Sequence, residues 1–167
     1  MLKVIIVMGV AGSGKTTIGT LLAEKLRWQF ADADDYHPAA NVIKMSAGHA
    51  LSDEDREPWL QTLRANIETW TSKDDFTVLA CSALKASYRQ LLQINDSVSI
   101  VYLKGDFELL QKRLSNRQGH FMKTTMLQSQ FQTLEEPEGA CTVDASEDPQ
   151  RIIEEICQKL NLPNPKT

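Results

Sequence analysis

The chain has 167 residues, 42% of them hydrophobic and 24% charged, which is enough for a single domain over 1–167 with a core of its own. The 18 Lys and Arg against 22 Asp and Glu leave a net charge of −4 and a pI near 5.4, which excludes the basic footprint of a nucleic-acid-binding protein. Cys81, Cys141 and Cys157 lack metal or disulfide spacing, and Val4 to Val10 is too short to span a bilayer and follows no signal peptide, so a reduced, cytoplasmic, non-membrane protein is expected.

The β-branched run from Val4 predicts a first, buried strand. It leads into Gly9-Val10-Ala11-Gly12-Ser13-Gly14-Lys15-Thr16-Thr17, which contains the P-loop pattern G-x-x-x-x-G-K-[ST]. Ile18, Leu21, Leu22 and Leu26 then recur at helical spacing. A short second strand is expected over 29–31, ending in Asp32-Ala33-Asp34-Asp35, and Pro38 opens a helix that stops near Gly48. Ser52 with Asp55 reads as the capping box of the next helix, whose apolar stripe is Leu60, Leu63, Ile67 and Trp70. Further strands are expected over 76–81 and 98–103, and helices over 82–94 and from Phe107 toward Arg117. The polar stretch 118–125 is a candidate mobile lid, and 141–143 a brief last strand. Pro149 starts a closing helix, and 161–167 reads as a frayed tail. Strands alternating with helices imply a parallel sheet covered on both faces, with ligands at the carboxyl ends of its strands.

The residue types around that edge point to phosphoryl transfer. Backbone N–H groups of the glycine loop form a nest for phosphates, Lys15 adds a cation for the β- and γ-phosphates, and the Thr16 hydroxyl suits Mg²⁺. Asp32 and Asp34, two apart at the end of a strand, are expected to share a face, one near the metal and the other as a base for an acceptor hydroxyl. Arg113 and Arg117, four apart on one helix, are cations for the ATP phosphates; Arg56, Lys85, Arg89, Lys123 and His120 are further candidates. The third strand ends Ala80-Cys81-Ser82 without a Walker B acid, so the metal falls to Thr16, water and Asp32. No D-x-x-G is present, and Ser72-Lys73-Asp74-Asp75 follows a helix rather than a strand, so a switch GTPase is disfavoured.

Most of the chain resembles the gluconate kinases, relatives of shikimate and adenylate kinases. The matching segments include Asp34-Asp35-Tyr36-His37-Pro38, Asp55-Arg56-Glu57-Pro58-Trp59, Ser82-Ala83-Leu84-Lys85 and Gly119-His120-Phe121-Met122. The resemblance implies a three-layer α/β P-loop kinase fold: a five-stranded parallel sheet with helices on both faces, a mobile lid, and a substrate-binding helical region at about 38–60. It implies ATP-dependent phosphorylation of D-gluconate at its 6-hydroxyl, with Mg²⁺, and is compatible with a homodimer. By the same resemblance Lys15, Asp34 and Arg117 are catalytic, and Gly9 through Thr17, Arg113 and Arg117 hold the nucleotide. Asp34, His37, Arg56, Lys85, Arg89 and His120 bind the sugar acid, and Thr16 and Asp32 the metal. Ala145 to Pro149 would border the adenine, and the segment between Pro137 and Val143 is a few residues shorter than the family usually carries. Two alternatives remain open at this point: a shikimate or nucleotide kinase of the same fold, and a regulator that hydrolyses ATP slowly without phosphorylating an acceptor.

Overall fold

Five apolar residues in a row, with no polar alternation, need cover on both faces of a sheet. Val4–Met8 (β1) receives it: every residue of the strand is buried, and it pairs in parallel with a neighbour on each side. The computed structural model describes residues 1–115 and 121–163, with 121–125 given as backbone alone. The other strands are Gln29–Asp32 (β2), Thr77–Ala80 (β3), Val98–Lys104 (β4) and Cys141–Asp144 (β5). They form a five-stranded parallel sheet in the order β2-β3-β1-β4-β5. β5 sits in parallel register beside β4, with Val101 opposite Cys141.

The pleat of β1 divides the core. Ile5 and Val7 point to a layer built from Lys15–Leu26 (α1) and Pro149–Lys159 (α7), with Ile18, Leu22, Ile152 and Ile156 buried in it. Val4, Ile6 and Met8 point the other way, toward Leu60, Leu63 and Ile67 of Asp53–Ser72 (α3) and Leu92 of Ala86–Leu92 (α4). Each such side chain contributes roughly 1.5–3 kcal/mol on burial. A third cluster joins Val10 and Leu84 to Leu110 and Leu114 of Phe107–Ser115 (α5) and Leu127 of Phe121–Thr133 (α6). Ala39–Ser46 (α2) follows the second strand.

The Ser52–Asp55 capping box sets the start of α3 as expected, and the helix continues through Pro58. The stretch assigned to a lid is helical from Phe121 onward, while 118–120 lie outside the described residues. In the 161–167 tail, Asn161 adopts φ 51°, the Leu162 N–H donates to the Cys157 carbonyl at 2.9 Å and Leu162 packs on the α1/α7 cluster, while 164–167 lie outside the described residues. The chain leaves β1 for β2 and β3 on one side, then crosses to β4 and β5 on the other. The carboxyl end of β1 is therefore the topological switch point at which α/β folds bind ligands.

Candidate active site

The loop after β1 is shaped by two glycines. A methyl group on Gly9 would stand 2.5 Å from the Ser13 hydroxyl oxygen and 3.1 Å from the Leu103 carbonyl oxygen. Gly14, at φ 98°, is the left-handed N-cap of α1, with no side chain over the first helical N–H groups and no acid in the first turn. Those N–H groups and the positive end of the helix dipole are left for an anion. Gly9, Val10 and Ser13 make the buried underside of the loop, with the Ser13 N–H donating to the Val10 carbonyl at 3.2 Å. Ala11, Gly12, Gly14, Lys15, Thr16 and Thr17 face a cavity of about 380 Å³.

Lys15 Nζ donates to the Val10 carbonyl at 3.1 Å. Desolvation in the cavity pushes its ammonium below the usual lysine range, against the pull of Asp34 and Asp32. Cys81, where a Walker B acid would stand, is buried, and its thiol is pushed up to about 12, so it brings no charge to the cavity. Thr16 Oγ1 donates to Asp32 Oδ2 at 3.3 Å. An alcohol oxygen and a carboxylate side by side on the cavity wall are hard donors of the kind Mg²⁺ takes, so these residues fit that ion.

Asp34 reaches the cavity by a different route from the one its spacing implies. β2 stops at Asp32, and Ala33–Tyr36 turns into a 3₁₀ helix capped by Asp32, whose Oδ1 accepts the Asp34 N–H at 3.0 Å. Strand alternation therefore does not align the two acids; the cap does, and both line the cavity that Lys15 lines. Partial desolvation at the cavity mouth, then Asp32 and Asp35, hold the Asp34 carboxyl above the usual range against the pull of Lys15, although 81% of its side chain stays exposed.

Around Asp34 the turn is pinned to α3. Trp59 Nε1 donates to the buried Ala33 carbonyl at 2.7 Å, and the His37 ring stacks on the Trp59 ring at 4.3 Å. The buried Asn41 amide donates through Nδ2 to the Asp55 carbonyl at 2.7 Å, so the same nitrogen is also the donor toward His37 Nδ1 at 3.2 Å. His37 therefore carries its proton on Nε2, which faces Asp34 Oδ1 at 3.9 Å. Burial and Arg56 lower the His37 pKa, keeping the imidazole neutral.

The cationic candidates separate. Arg56 lines the cavity; Lys85 and Arg89 do not. Lys85 Nζ donates to both Asp53 carboxylate oxygens at 2.9 Å, and the buried Arg89 spends its guanidinium on the Ala83 and Glu135 carbonyls at 2.8 Å. Both side chains, expected against the substrate, are thus engaged with protein groups away from the cavity lining. Arg113 bridges the Gly12 carbonyl at 3.4 Å and the Ala145 carbonyl at 2.6 Å, tying the phosphate loop to the segment after β5. Arg117 and His120 lie outside the described residues. Gln130 was not anticipated: its Oε1 accepts the Ala11 N–H at 2.7 Å, linking α6 to the loop. Nothing local in the sequence marks it.

Residues 11–161 match the family model described as shikimate kinase. The chain is 45% identical over 172 aligned residues to a probable gluconokinase of Xenopus tropicalis, covering 92% of this chain and 90% of that protein. Its structure superposes on that of a gluconokinase from Sinorhizobium meliloti 1021 with a TM-score of 0.83 at 40% identity, covering 94% and 90% of the two chains. A sugar kinase from Janibacter sp. HTCC2649 gives a TM-score of 0.89 at 38% identity, covering 98% and 97%. A phosphate loop and an acidic turn on one cavity, in a chain this similar to gluconokinases over most of its length, make it a member of the gluconokinase family of P-loop kinases.

Proposed function

We propose that the protein transfers the γ-phosphoryl group of ATP to the 6-hydroxyl of D-gluconate, giving 6-phospho-D-gluconate and ADP. The observation that carries the reading is that Lys15 and Asp34 line one cavity, with the Thr16–Asp32 pair beside them and Arg56 on the same wall. The loop N–H groups and Lys15 hold the β- and γ-phosphates. Thr16 and Asp32 would hold Mg²⁺, which would supply positive charge against the phosphates. Asp34 accepts the proton of the 6-hydroxyl as that oxygen bonds to the γ-phosphorus and the bond to the β-phosphate oxygen breaks. Arg56 offers a guanidinium fork to the gluconate carboxylate, and the His37 Nε2–H a neutral donor to its hydroxyls.

A coupled ADP-release assay with gluconate, shikimate and nucleoside monophosphates as acceptors tests this. Gluconate-dependent ADP release is expected; turnover of another acceptor with none for gluconate would overturn it, and ATP hydrolysis that no acceptor stimulates would favour a regulator.

A further inference from the structure

Arg56 does not stand alone. Its Nη1 donates to the Tyr88 hydroxyl at 3.0 Å, and its guanidinium lies 5.6 Å from the centre of the Tyr88 ring. The Tyr88 hydroxyl donates onward to Asp53 Oδ1, and Lys85 closes the chain by donating to both oxygens of the same carboxylate. Arg56 Nη1 is 3.9 Å from Asp53 Oδ1, close enough to be drawn in but not hydrogen-bonded. Tyr88 is buried, on α4, whereas Arg56 and Asp53 lie three apart on the first turns of α3.

The direction of these bonds matters. A tyrosine hydroxyl has one proton. Having given it to Asp53, it presents only lone pairs to Arg56, so it orients the guanidinium without neutralising it. Lys85 meanwhile compensates Asp53. The Tyr88 hydrogen bond, ahead of that from Lys85, holds the Asp53 carboxyl below its usual range, so Asp53 stays a charged acceptor. The four groups together carry one net positive charge, and Arg56 is the member on the cavity wall.

Resting on the reading of Arg56 as the carboxylate anchor, we infer that Tyr88 is a positioning residue that keeps Arg56 off Asp53, with Lys85 as counter-ion, so that its positive charge stays directed at the substrate carboxylate. Without the hydroxyl, Asp53 becomes the nearest acceptor for Arg56, and an intramolecular pair competes with the sugar acid.

Tyr88→Phe removes one oxygen and leaves the ring in the core. It is expected to raise KM for gluconate about tenfold while kcat and KM for ATP stay within about twofold and Tm is retained. Tyr88→Phe combined with Asp53→Asn removes the charge that competes for Arg56, leaving only a weaker neutral acceptor, and is expected to recover most of the lost affinity, a rescue that a purely structural role would not produce. A crystal structure of Tyr88→Phe should show Arg56 hydrogen-bonded to Asp53. An unchanged KM for gluconate, a double variant no better than the single one, or an Arg56 unmoved in that crystal would each overturn the inference. Absence of gluconate turnover in the wild type would instead count against the proposed function, and the position of Arg56 in the crystal would still decide the role of Tyr88.

Discussion

Asp34→Asn separates a catalytic carboxylate from a structural one. The exchange keeps the shape of the side chain and removes its charge and its capacity to accept a proton. As the base it contributes on the order of 10²–10⁴ in rate, about 3–5 kcal/mol of barrier. The structure adds a second, opposite signature. The cleft holds the Asp34 carboxyl above its usual range, so the folded state binds a proton more readily than the unfolded chain. Stability then declines as pH rises from the unfolded value of 3.8 through the folded one, by an amount that solvent keeps small at a side chain 81% exposed. Asparagine is free of that decline. We therefore expect Asp34→Asn to lower kcat for gluconate by 10²–10⁴ in the ADP-release assay, to leave ATP affinity within severalfold, and to raise Tm slightly at pH 7. The gain in Tm should fade as the pH is lowered toward 3.8, where both proteins carry a neutral group. In the wild type kcat should fall on the acid side as Asp34 takes up its proton. A variant with a lowered Tm and lost ATP binding would refute the reasoning, since it would make Asp34 a support of the loop instead of a base.

Lys15→Met acts at the donor side: about 3 kcal/mol lost from transition-state stabilisation is expected, read as a 10²–10³-fold fall in kcat, with the fold retained. Near-normal turnover would remove Lys15 from the mechanism. Arg89→Met leaves the Ala83 and Glu135 carbonyls without their donor, for a loss on the order of 2–5 kcal/mol in denaturant unfolding, while KM for gluconate stays unchanged. A raised KM with unchanged stability would return Arg89 to the substrate. Trp59→Phe orphans the buried Ala33 carbonyl at about 1–3 kcal/mol, which in a chain of this size lowers Tm by about 2–12 °C. Because the Ala33 turn carries Asp34, kcat should fall with it; an unchanged Tm would show that the bond contributes nothing.

What the sequence discloses here depends on how far apart the partners lie. The phosphate loop is local: strand, glycines, Lys15 and the start of α1 are contiguous, so pattern alone locates them. The capping box of α3 is legible for the same reason. Asp32 and Asp34 are found by spacing but for the wrong cause, because β2 is only four residues long and the Asp32 cap turns the chain before alternation can act. The basic residues show the limit most clearly. Sequence supplies their charge but not their partners, and Lys85 finds Asp53 32 positions away, Arg89 the Glu135 carbonyl 46 away. Asn41, Tyr88 and Gln130 act through partners 14, 32 and 119 positions away, so nothing beside them in the sequence announces the contact.

The acceptor half of the cavity hangs from one place. Ala33 is held by Trp59, Asn41 by the Asp55 carbonyl, and Lys44 by the Asp55 carboxylate at 2.6 Å, so the turn bearing Asp34 and helix α2 both attach to the first two turns of α3. The Lys44 hydrogen bond, followed by those from Ser52, lowers the Asp55 pKa to about 2. The stability Asp55 contributes is thus present above 3.8 and lost only as pH falls through about 2, whereas Asp34 takes up its proton above 3.8. On acidification the base is silenced while α2 is still tied to α3. Asp34 therefore takes up its proton on a scaffold that is still assembled, and activity lost on the acid side should return in full when the pH is restored.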